Sequence, residues 1–431
     1  MKVQYSNQIS SFGGINFVLN EFNNKEIDKL INKNLPQLPN QSKFKWKDIF
    51  YSFWSILFCG GENAEDISIN LKSSLSNNPF FNIPSPDRIL NRMKQLSEPV
   101  QICLTPRGKK EHQFSMNTRL NKLNMMLLKK TSNLQKGEHT LDYDNTIIYS
   151  NKADAKMTYK KQLGYTPGVG IIGKDIVYVE NRNGNSTAET LQDETMKRMF
   201  KLLSENNIKI KNFRADSASY RLSTLLEVEK NVDKIFVKAR MSASLNEAIN
   251  KVKKWKKVKI DDEIAYRGSV DFNPFKKVAK KENREALKRK YKLVITKIKR
   301  RDGQYNLFTS EPYNYSAILT NDFEKTNDEV VFFYNNRGAI EKEFDVLKND
   351  FAWQKMPFSK IEYNTVFLLI TAMCKNLYNY IITEFSEKYK YLSANFRIKK
   401  FIFRFICIPA KWIKTARMYK LKIYGNINLK T

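Results

Sequence analysis

Between residues 139 and 240 the chain alternates between strand and helix patterns, which limits the possible folds more than any other feature of the sequence. The predicted strands are residues 139–149, 168–173, 175–181, 208–216 and 234–240. Helical periodicity at 188–205 and a Ser-rich helix start at 217–230 separate the later strands. Because strands connected through helices favour a layered sheet over a helix bundle or a β-sandwich, we predict an α/β fold.

Two aspartates in these strands are candidates for cation binding. Asp144 shares one face of the first strand with Asp142 and Thr146. Two carboxylates on one face of a strand are costly unless they are solvated or bind a cation. Asp216 ends the strand 208–216, and α/β sheets place their ligands at the carboxyl ends of strands. Each motif alone is common, so their order and setting carry the weight.

A third carboxylate, Glu341, lies in the segment from Tyr334 to Lys348. On one continuous α-helix, four polar side chains of this segment would share an arc of about 60°. They are Tyr334, Arg337, Glu341 and Lys348. A carboxylate flanked by fixed cations suits a metal ion that must meet a phosphate. An exposed helix with an Arg337–Glu341 salt bridge explains the pattern equally well.

Neighbouring residues of the same segment refine this prediction. An apolar stripe would lie beside the polar arc and enter a core. It consists of Ile340, Phe344, Leu347 and Phe351. Asp345 is a rival carboxylate on the polar face, whereas Glu343 points the other way.

The charge of the chain points to a polyanionic partner. The 431 residues include 75 Lys+Arg and 44 Asp+Glu, which gives a net charge of +31. Nucleic acid is the most common partner of so basic a chain, although AT-rich coding can also raise the lysine content. A hydrophobic content of 42% indicates a folded protein, and this length predicts two or three domains.

Cysteine and histidine are too scarce to build a metal site. The four cysteines make no C-x-x-C pair and fit buried, reduced thiols, and there are two histidines. A metal would therefore be held by carboxylates, which favour a hard ion such as Mg²⁺ or Mn²⁺. The first ten residues lack an apolar signal core, and the apolar run 366–374 is too short to span a bilayer. We expect a soluble, cytoplasmic protein.

Residues 1–135 have mostly helical patterns. In the helix predicted from Ser85, which would cap it, Ile89, Met93 and Leu96 form the buried stripe. Its outer face carries Arg88, Asn91, Arg92 and Gln95. These residue types suit contacts in a DNA groove, but a solvated basic face is an equal alternative. Residues 106–130 are predicted to form a basic helical connector.

The remaining segments are strand-rich, apolar or basic in turn. Residues 239–320 alternate as strands do, around a Lys-rich run that is either solvated or in contact with DNA. Residues 357–380 predict an apolar helix that closes the core. The tail 386–431 is basic and aromatic, which fits either a packed amphipathic helix or further DNA contact.

Three motifs give the chain a resemblance to a known family. Tyr334, Arg337, Glu341 and Lys348 match the signature Y-x2-R-x3-E-x6-K without a gap. This signature marks a group of DDE transposases of bacterial insertion sequences, which the chain resembles over roughly residues 47–380. LDYDNT around Asp144 and RADSASY around Asp216 look most like the insertion-sequence-1380 branch, from which Asn145 is a conservative departure.

The resemblance implies a domain order and a set of roles. A helical region (1–135) that binds DNA ends would precede an RNase H-like core (136–238 and 321–385) with a β-rich insertion (239–320) and a basic tail (386–431). Asp144, Asp216 and Glu341 would bind two Mg²⁺ (or Mn²⁺) ions. The residues expected to hold DNA are Tyr334, Arg337 and Lys348. Trp255 would stack on a flipped base, although a packed Trp255 is the simpler interpretation.

The function implied is cut-and-paste DNA transposition. The enzyme would bind the terminal inverted repeats of its element, cleave the strands and join them to target DNA, as a homodimer in the bacterial nucleoid. Two alternatives remain open. One is an RNase H-like nuclease without strand transfer, and the other is a non-catalytic DNA-binding derivative.

Overall fold

The structure is a computed structural model that describes residues 8–104, 111–282, 284–302, 304 and 312–424. These residues form sixteen strands. The first eight are β1 (Gln101–Leu104), β2 (Glu111–Ser115), β3 (Glu138–Asn145), β4 (Ile148–Tyr149), β5 (Lys156–Met157), β6 (Leu163–Tyr165), β7 (Gly168–Ile172) and β8 (Asp175–Arg182). The others are β9 (Lys209–Ala215), β10 (Lys234–Lys238), β11 (Lys256–Ile260), β12 (Glu263–Asp271), β13 (Lys292–Lys299), β14 (Tyr313–Thr320), β15 (Ala410–Thr415) and β16 (Met418–Ile423).

Fourteen α-helices accompany these strands in the described part of the chain. The first seven are α1 (Ile15–Asn24), α2 (Ile27–Asn34), α3 (Trp46–Phe58), α4 (Lys72–Leu75), α5 (Pro86–Lys94), α6 (Thr118–Thr131) and α7 (Gln192–Glu205). The others are α8 (Leu222–Val228), α9 (Ala243–Asn250), α10 (Lys276–Glu282), α11 (Asn327–Asn335), α12 (Ala339–Asp350), α13 (Ile361–Lys388) and α14 (Ile398–Phe401).

Eleven strands form one mixed sheet, in the order β1-β2-β8-β7-β3-β9-β10-β14-β13-β12-β11. β9 pairs in parallel with β3 on one side and with β10 on the other. The remaining neighbours are antiparallel, including the β7–β8 hairpin predicted from the sequence. The predicted α/β class is confirmed, because helices pack on both faces of this sheet.

The alternation of side chains along β3 separates two hydrophobic cores. Leu141 and Tyr143 face the core that holds α7 and α8. The opposite face of the sheet is covered by a larger core, which includes the N-terminal helices, α12 and α13. Since Asp142 and Asp144 alternate with Leu141 and Tyr143, their side chains point to the side on which α12 lies.

Helix α13 is the central helix of the larger core. Asn376 donates to the carbonyl of Ile176 at 2.9 Å and accepts from its N–H at 2.9 Å, which fastens α13 to β8. Trp54 of α3 donates to the carbonyl of Ile370 at 3.0 Å. The helix is long and apolar enough to cross a membrane, but 94% of its most apolar stretch is buried within the fold. It closes the core, as predicted.

Residues 1–135 are mostly helical, as predicted, but they also include the hairpin β1–β2. Of the described residues in the predicted connector 106–130, only those of α6 are helical. The tail is not one amphipathic helix: α14 continues into a π-helical segment, Ile402–Ile406, and the hairpin β15–β16 follows. Pro409 precedes this hairpin and lacks the N–H that a continuing helix would need. Residues 1–7, 105–110 and 425–431 of these predicted segments lie outside the described residues.

The strand-rich segment 239–320 extends the main sheet. β14 pairs with β10 in the register Val237↔Leu319, and β13, β12 and β11 follow outward from it. The strands predicted in this segment are therefore continuous with those that carry the aspartates. Such pairing joins residues far apart in sequence, which local periodicity does not reveal.

Candidate active site

Parallel pairing of β3 with β9 brings the first two candidate carboxylates together. Tyr143 lies opposite Ala215 in this register, and Asp144 and Asp216 follow them at the same end of the two strands. Asp216 accepts a hydrogen bond at 2.9 Å from the N–H of Ala218, in the short 3₁₀ turn that begins there. Asp144 accepts at 2.8 Å from the N–H of Asn145. Both carboxylates are thus held by backbone N–H groups at the same end of the two strands.

The nearby Asp216 carboxylate changes the pKa of Asp144. Burial and the negative charge of Asp216 raise the pKa of Asp144 to about 6, although Arg337 opposes the shift. Its side chain is 16% exposed. A carboxyl group beside a like charge and away from water is stabilised by a cation.

The segment that carries Glu341 is not one continuous helix, which corrects the prediction. α11 ends at Asn335, a 3₁₀ turn spans Asn336–Gly338, and α12 begins at Ala339. Two asparagines and a glycine within four residues, Asn335 to Gly338, have low helix propensity, which accounts for the break. The apolar stripe Ile340, Phe344, Leu347 and Phe351 is buried as predicted.

Arg337 lies in this turn and links two of the three candidate carboxylates. Its guanidinium donates at 2.9 Å to Asp144 Oδ2 and at 3.5 Å to Glu341 Oε1. The arginine side chain is only 12% exposed, whereas that of Glu341 is 70% exposed. The predicted Arg337–Glu341 salt bridge is present, but the stronger contact of Arg337 is with the first strand.

Of the two other residues of the signature, Tyr334 is buried and Lys348 is half-buried. Tyr334 packs with Phe236 and Val330, and burial raises its pKa while the charge of Arg337 opposes the rise. Lys348 lies near the end of α12, where burial lowers its pKa. Their proposed contacts with DNA stay predictions.

The rival carboxylates of α12 are engaged elsewhere. Asp345 accepts from Arg397 at 2.8 Å and from Asn349 at 2.5 Å, so it helps to hold the C-terminal segment. Glu343 forms a salt bridge with Lys375 of α13, whose side chain is 2% exposed. Asp350, the fourth acidic residue of this helix, accepts from Arg397 at 2.7 Å. Glu341 is thus the one that Arg337 connects to Asp144.

Arg214 is a residue of the site that the sequence analysis missed. It lies directly opposite Asp142 in the β3–β9 register and forms a bidentate pair with it, with both hydrogen bonds at 2.7 Å. Its third nitrogen donates to the carbonyl of Phe333 in α11 at 2.8 Å. The signal was present, because Asp142 and Arg214 each stand two residues before a candidate aspartate. This bridge fixes α11 against the strands that end in Asp144 and Asp216.

The candidate metal ligands are carboxylate oxygens, which suit a hard divalent cation. Asp144 and Asp216 supply carboxylate oxygens, and the raised pKa of Asp144 indicates a need for positive charge there. Within the described ranges, no group of three or more acidic, histidine or cysteine side chains is close enough to hold a metal. Glu341 completes no such group here, and Arg337 occupies the space between it and Asp144.

The remaining candidates for DNA contact differ in the exposure and the contacts of their side chains. Arg88 is exposed on α5, whereas Arg92 donates to Gln95 at 2.8 Å and to Ser42 at 3.2 Å. Trp255 is half-buried, with the Lys297 ammonium 4.5 Å from its ring centroid. Contact of Arg88, Arg92 and Trp255 with DNA stays a prediction.

Comparison with known proteins assigns the chain to a family. A family model described as transposase DDE domain group 1 matches residues 4–430. The chain therefore belongs to this family of transposases, which as a class use divalent metal ions. No curated protein matches the sequence.

Two solved transposase structures show a distant likeness. One is a piggyBac transposase synaptic complex with hairpin DNA, with 12% identity over 91% of this chain and 79% of that chain and a TM-score of 0.48. The other is the Drosophila P element transposase strand transfer complex, with 12% identity over 85% of this chain and 87% of that chain and a TM-score of 0.28. The family assignment rests on the family model and not on these structures.

Proposed function

We propose that this transposase moves its own DNA element by a cut-and-paste reaction at the Asp144, Asp216 and Glu341 site. The observation that carries the proposal is the meeting of Asp144 and Asp216 on adjacent parallel strands, with Arg337 between Asp144 and Glu341. The three motifs also favour an insertion-sequence element of the 1380 branch, acting in the bacterial nucleoid.

The order of the central strands supports an RNase H-like core. In the order β8-β7-β3-β9-β10, the first three strands are antiparallel to one another in turn. The next two, β9 and β10, run parallel to β3. The second candidate aspartate follows the strand beside the first, and Glu341 lies on a helix that covers the same face. These positions support the proposed core.

Each residue has a proposed role. Asp144, Asp216 and Glu341 hold the metal ions, for which Mg²⁺ is our proposal and Mn²⁺ the alternative. When bound, such ions activate a water or a 3′-hydroxyl and stabilise the leaving oxygen. Arg337 and Lys348 neutralise phosphate oxygens near the reacting bond.

Duplex DNA is the proposed substrate, both as terminal inverted repeats and as target. The net charge of +31 provides the electrostatic attraction. The two ends of an element must be handled together, so we propose a homodimer in the DNA complex. Arg88 on the exposed face of α5 is the proposed N-terminal contact.

The decisive experiment is metal-dependent cleavage of a duplex that carries the element's end. We expect Asp144→Asn and Glu341→Gln to abolish cleavage and to retain end binding. Asp345→Asn is the matched control on the same helix, since Asp345 contacts Arg397 instead, and should cleave normally. Loss of cleavage in the control alone would reassign the third carboxylate.

A supplied 3′-hydroxyl end distinguishes transposition from simple nuclease activity. Strand-transfer products from such an end support the proposal. Cleavage without joining would identify a nuclease, and tight binding without cleavage by any form would identify a non-catalytic DNA-binding protein.

A further inference from the structure

The last described strands, β15 and β16, form a two-stranded ribbon with two different faces. In their antiparallel register Trp412 lies opposite Leu421, and Lys411 lies opposite Lys422. Because side chains alternate along each strand, these pairs lie on opposite faces. We call the second one the lysine face; its members are Lys411, Ile413, Thr415, Met418, Lys420 and Lys422.

The other face holds the ribbon against the helical region. Trp412 donates to Asn16 at 3.2 Å. The ring of Phe80 lies 5.7 Å from that of Trp412 and 5.9 Å from that of Tyr419. At the base of the ribbon, Ser10 and Ala410 exchange backbone hydrogen bonds of 2.8 and 3.0 Å. One face is thus fixed to the protein, which leaves the lysine face directed away from it.

The ribbon concentrates positive charge at the protein surface. Arg417, Lys420 and Lys422 are exposed. Residues 408–424 contain basic side chains and no acidic one. The basic residues are Lys411, Lys414, Arg417, Lys420 and Lys422. A polyanion is the partner that such a surface complements.

We propose that the β15–β16 ribbon binds duplex DNA through its lysine face. A two-stranded ribbon fits the major groove, which is about 12 Å wide, and the lysines then meet phosphates at its edges. Arg417 lies in the turn between the strands, where it would enter the groove first. Duplex DNA as the partner rests on the proposed function; the binding surface rests on the register and charge of the ribbon.

The test measures how salt weakens binding of the full-length protein to duplex DNA, without metal. A triple variant, Lys411→Gln with Lys420→Gln and Lys422→Gln, removes the lysine face. Its matched control is Lys197→Gln with Lys201→Gln and Lys209→Gln, three exposed lysines of α7 and β9. Each lost phosphate contact should reduce the slope of log K against log salt by about 0.9, so we expect a fall of about 2–3. The control should bind with the slope of the unaltered protein.

Three outcomes decide the matter. An unchanged slope in the triple variant overturns the proposal. An equal loss of binding to a single strand of the same length overturns the groove assignment. A loss of binding to anionic lipid vesicles with duplex binding unchanged would assign the face to a membrane instead.

Folding and catalysis are tested separately from this binding. The Tm of the triple variant, compared with that of its control, shows whether a change in slope reflects binding or folding. Arg417→Gln alters only the turn and should reduce the slope by about 0.9 if the ribbon binds DNA. Asp144→Asn, with the ribbon intact, should keep the full slope and lose cleavage. A DNA-binding result would therefore contradict the ribbon proposal, whereas a cleavage result would contradict the proposed function.

Discussion

Arg337 and Asp144 are joined by a 2.9 Å salt bridge although 193 residues separate them in sequence. The guanidinium lies where two neighbouring carboxylates, Asp144 and Asp216, require positive charge. In the protein without metal, Arg337 therefore supplies the compensation that a divalent ion would supply. This relationship determines how the site should respond to substitution.

Arg337→Ala should weaken the protein without metal and increase its response to metal. Loss of the partner leaves Asp144 uncompensated, at a cost of about 1–3 kcal/mol in the free energy of unfolding. Bound Mg²⁺ then replaces the lost charge, so the rise in Tm on adding Mg²⁺ should exceed that of the unaltered protein. Thermal unfolding with Mg²⁺ and with EDTA measures both effects. Arg337→Lys keeps the charge and should give an intermediate response; a smaller Mg²⁺ effect in Arg337→Ala would contradict this account.

Arg214→Lys should reduce metal affinity by about 10–100-fold. The lysine keeps the charge but cannot bridge Asp142 and the carbonyl of Phe333 together, so α11 and the strand ends lose their fixed relation. Mg²⁺ titration followed by calorimetry measures the affinity directly.

Arg267→Lys is the control for that substitution. Arg267 is 9% exposed, as Arg214 is, and it pairs with Asp328 of α11 at 2.5 Å from a different strand. Its replacement should lower stability similarly and leave metal affinity unchanged. Equal losses of affinity in both variants would reduce Arg214 to a general structural role.

Stability without metal should fall as the pH rises through about 6. Folding raises the pKa of Asp144 from an ordinary value of about 3.9 to about 6, so the folded state binds this proton more tightly than the unfolded state does. The contribution is fully present below about pH 4, is lost by neutral pH and amounts to about 3 kcal/mol at most. Urea unfolding in EDTA across this range should show the slope, and Asp144→Asn should remove it.

The same titration predicts the pH dependence of metal binding. Because a metal ion needs the ionised carboxylate, the Mg²⁺-induced rise in Tm should appear as the pH increases through about 6. An equal Mg²⁺-induced rise in Tm at about pH 5 and about pH 7 would contradict the assignment of Asp144 as a ligand.

Trp255→Ala should lower stability and leave end binding and first-strand cleavage unchanged. The ring is half-buried, and a Cβ added to Gly268 would lie 3.2 Å from it, so the indole fills space beside β12. The expected cost is about 1–3 kcal/mol in the free energy of unfolding. Trp255→Phe should restore part of it. Loss of hairpin products at normal first-strand cleavage would establish the base-stacking role instead.

The sequence singled out the candidate carboxylates but not the contacts that surround them. Asp144, Asp216 and Glu341 were recognisable because strand alternation and short motifs are local properties of the chain. The break at Asn336–Gly338 was missed, because helical periodicity continues through a single tighter turn. The bridge from Arg214 to Asp142 was also missed, since it depends on which strands become neighbours.

By itself the sequence determined the α/β class, the elements that carry the three carboxylates and the strong positive charge. These follow from side-chain periodicity and composition, which are set residue by residue. Only the tertiary structure decided that Arg337 meets Asp144, that β10 pairs with β14 and that the last strands form a basic ribbon. Contacts between distant residues depend on the register and packing of whole elements, and a local pattern does not contain that information.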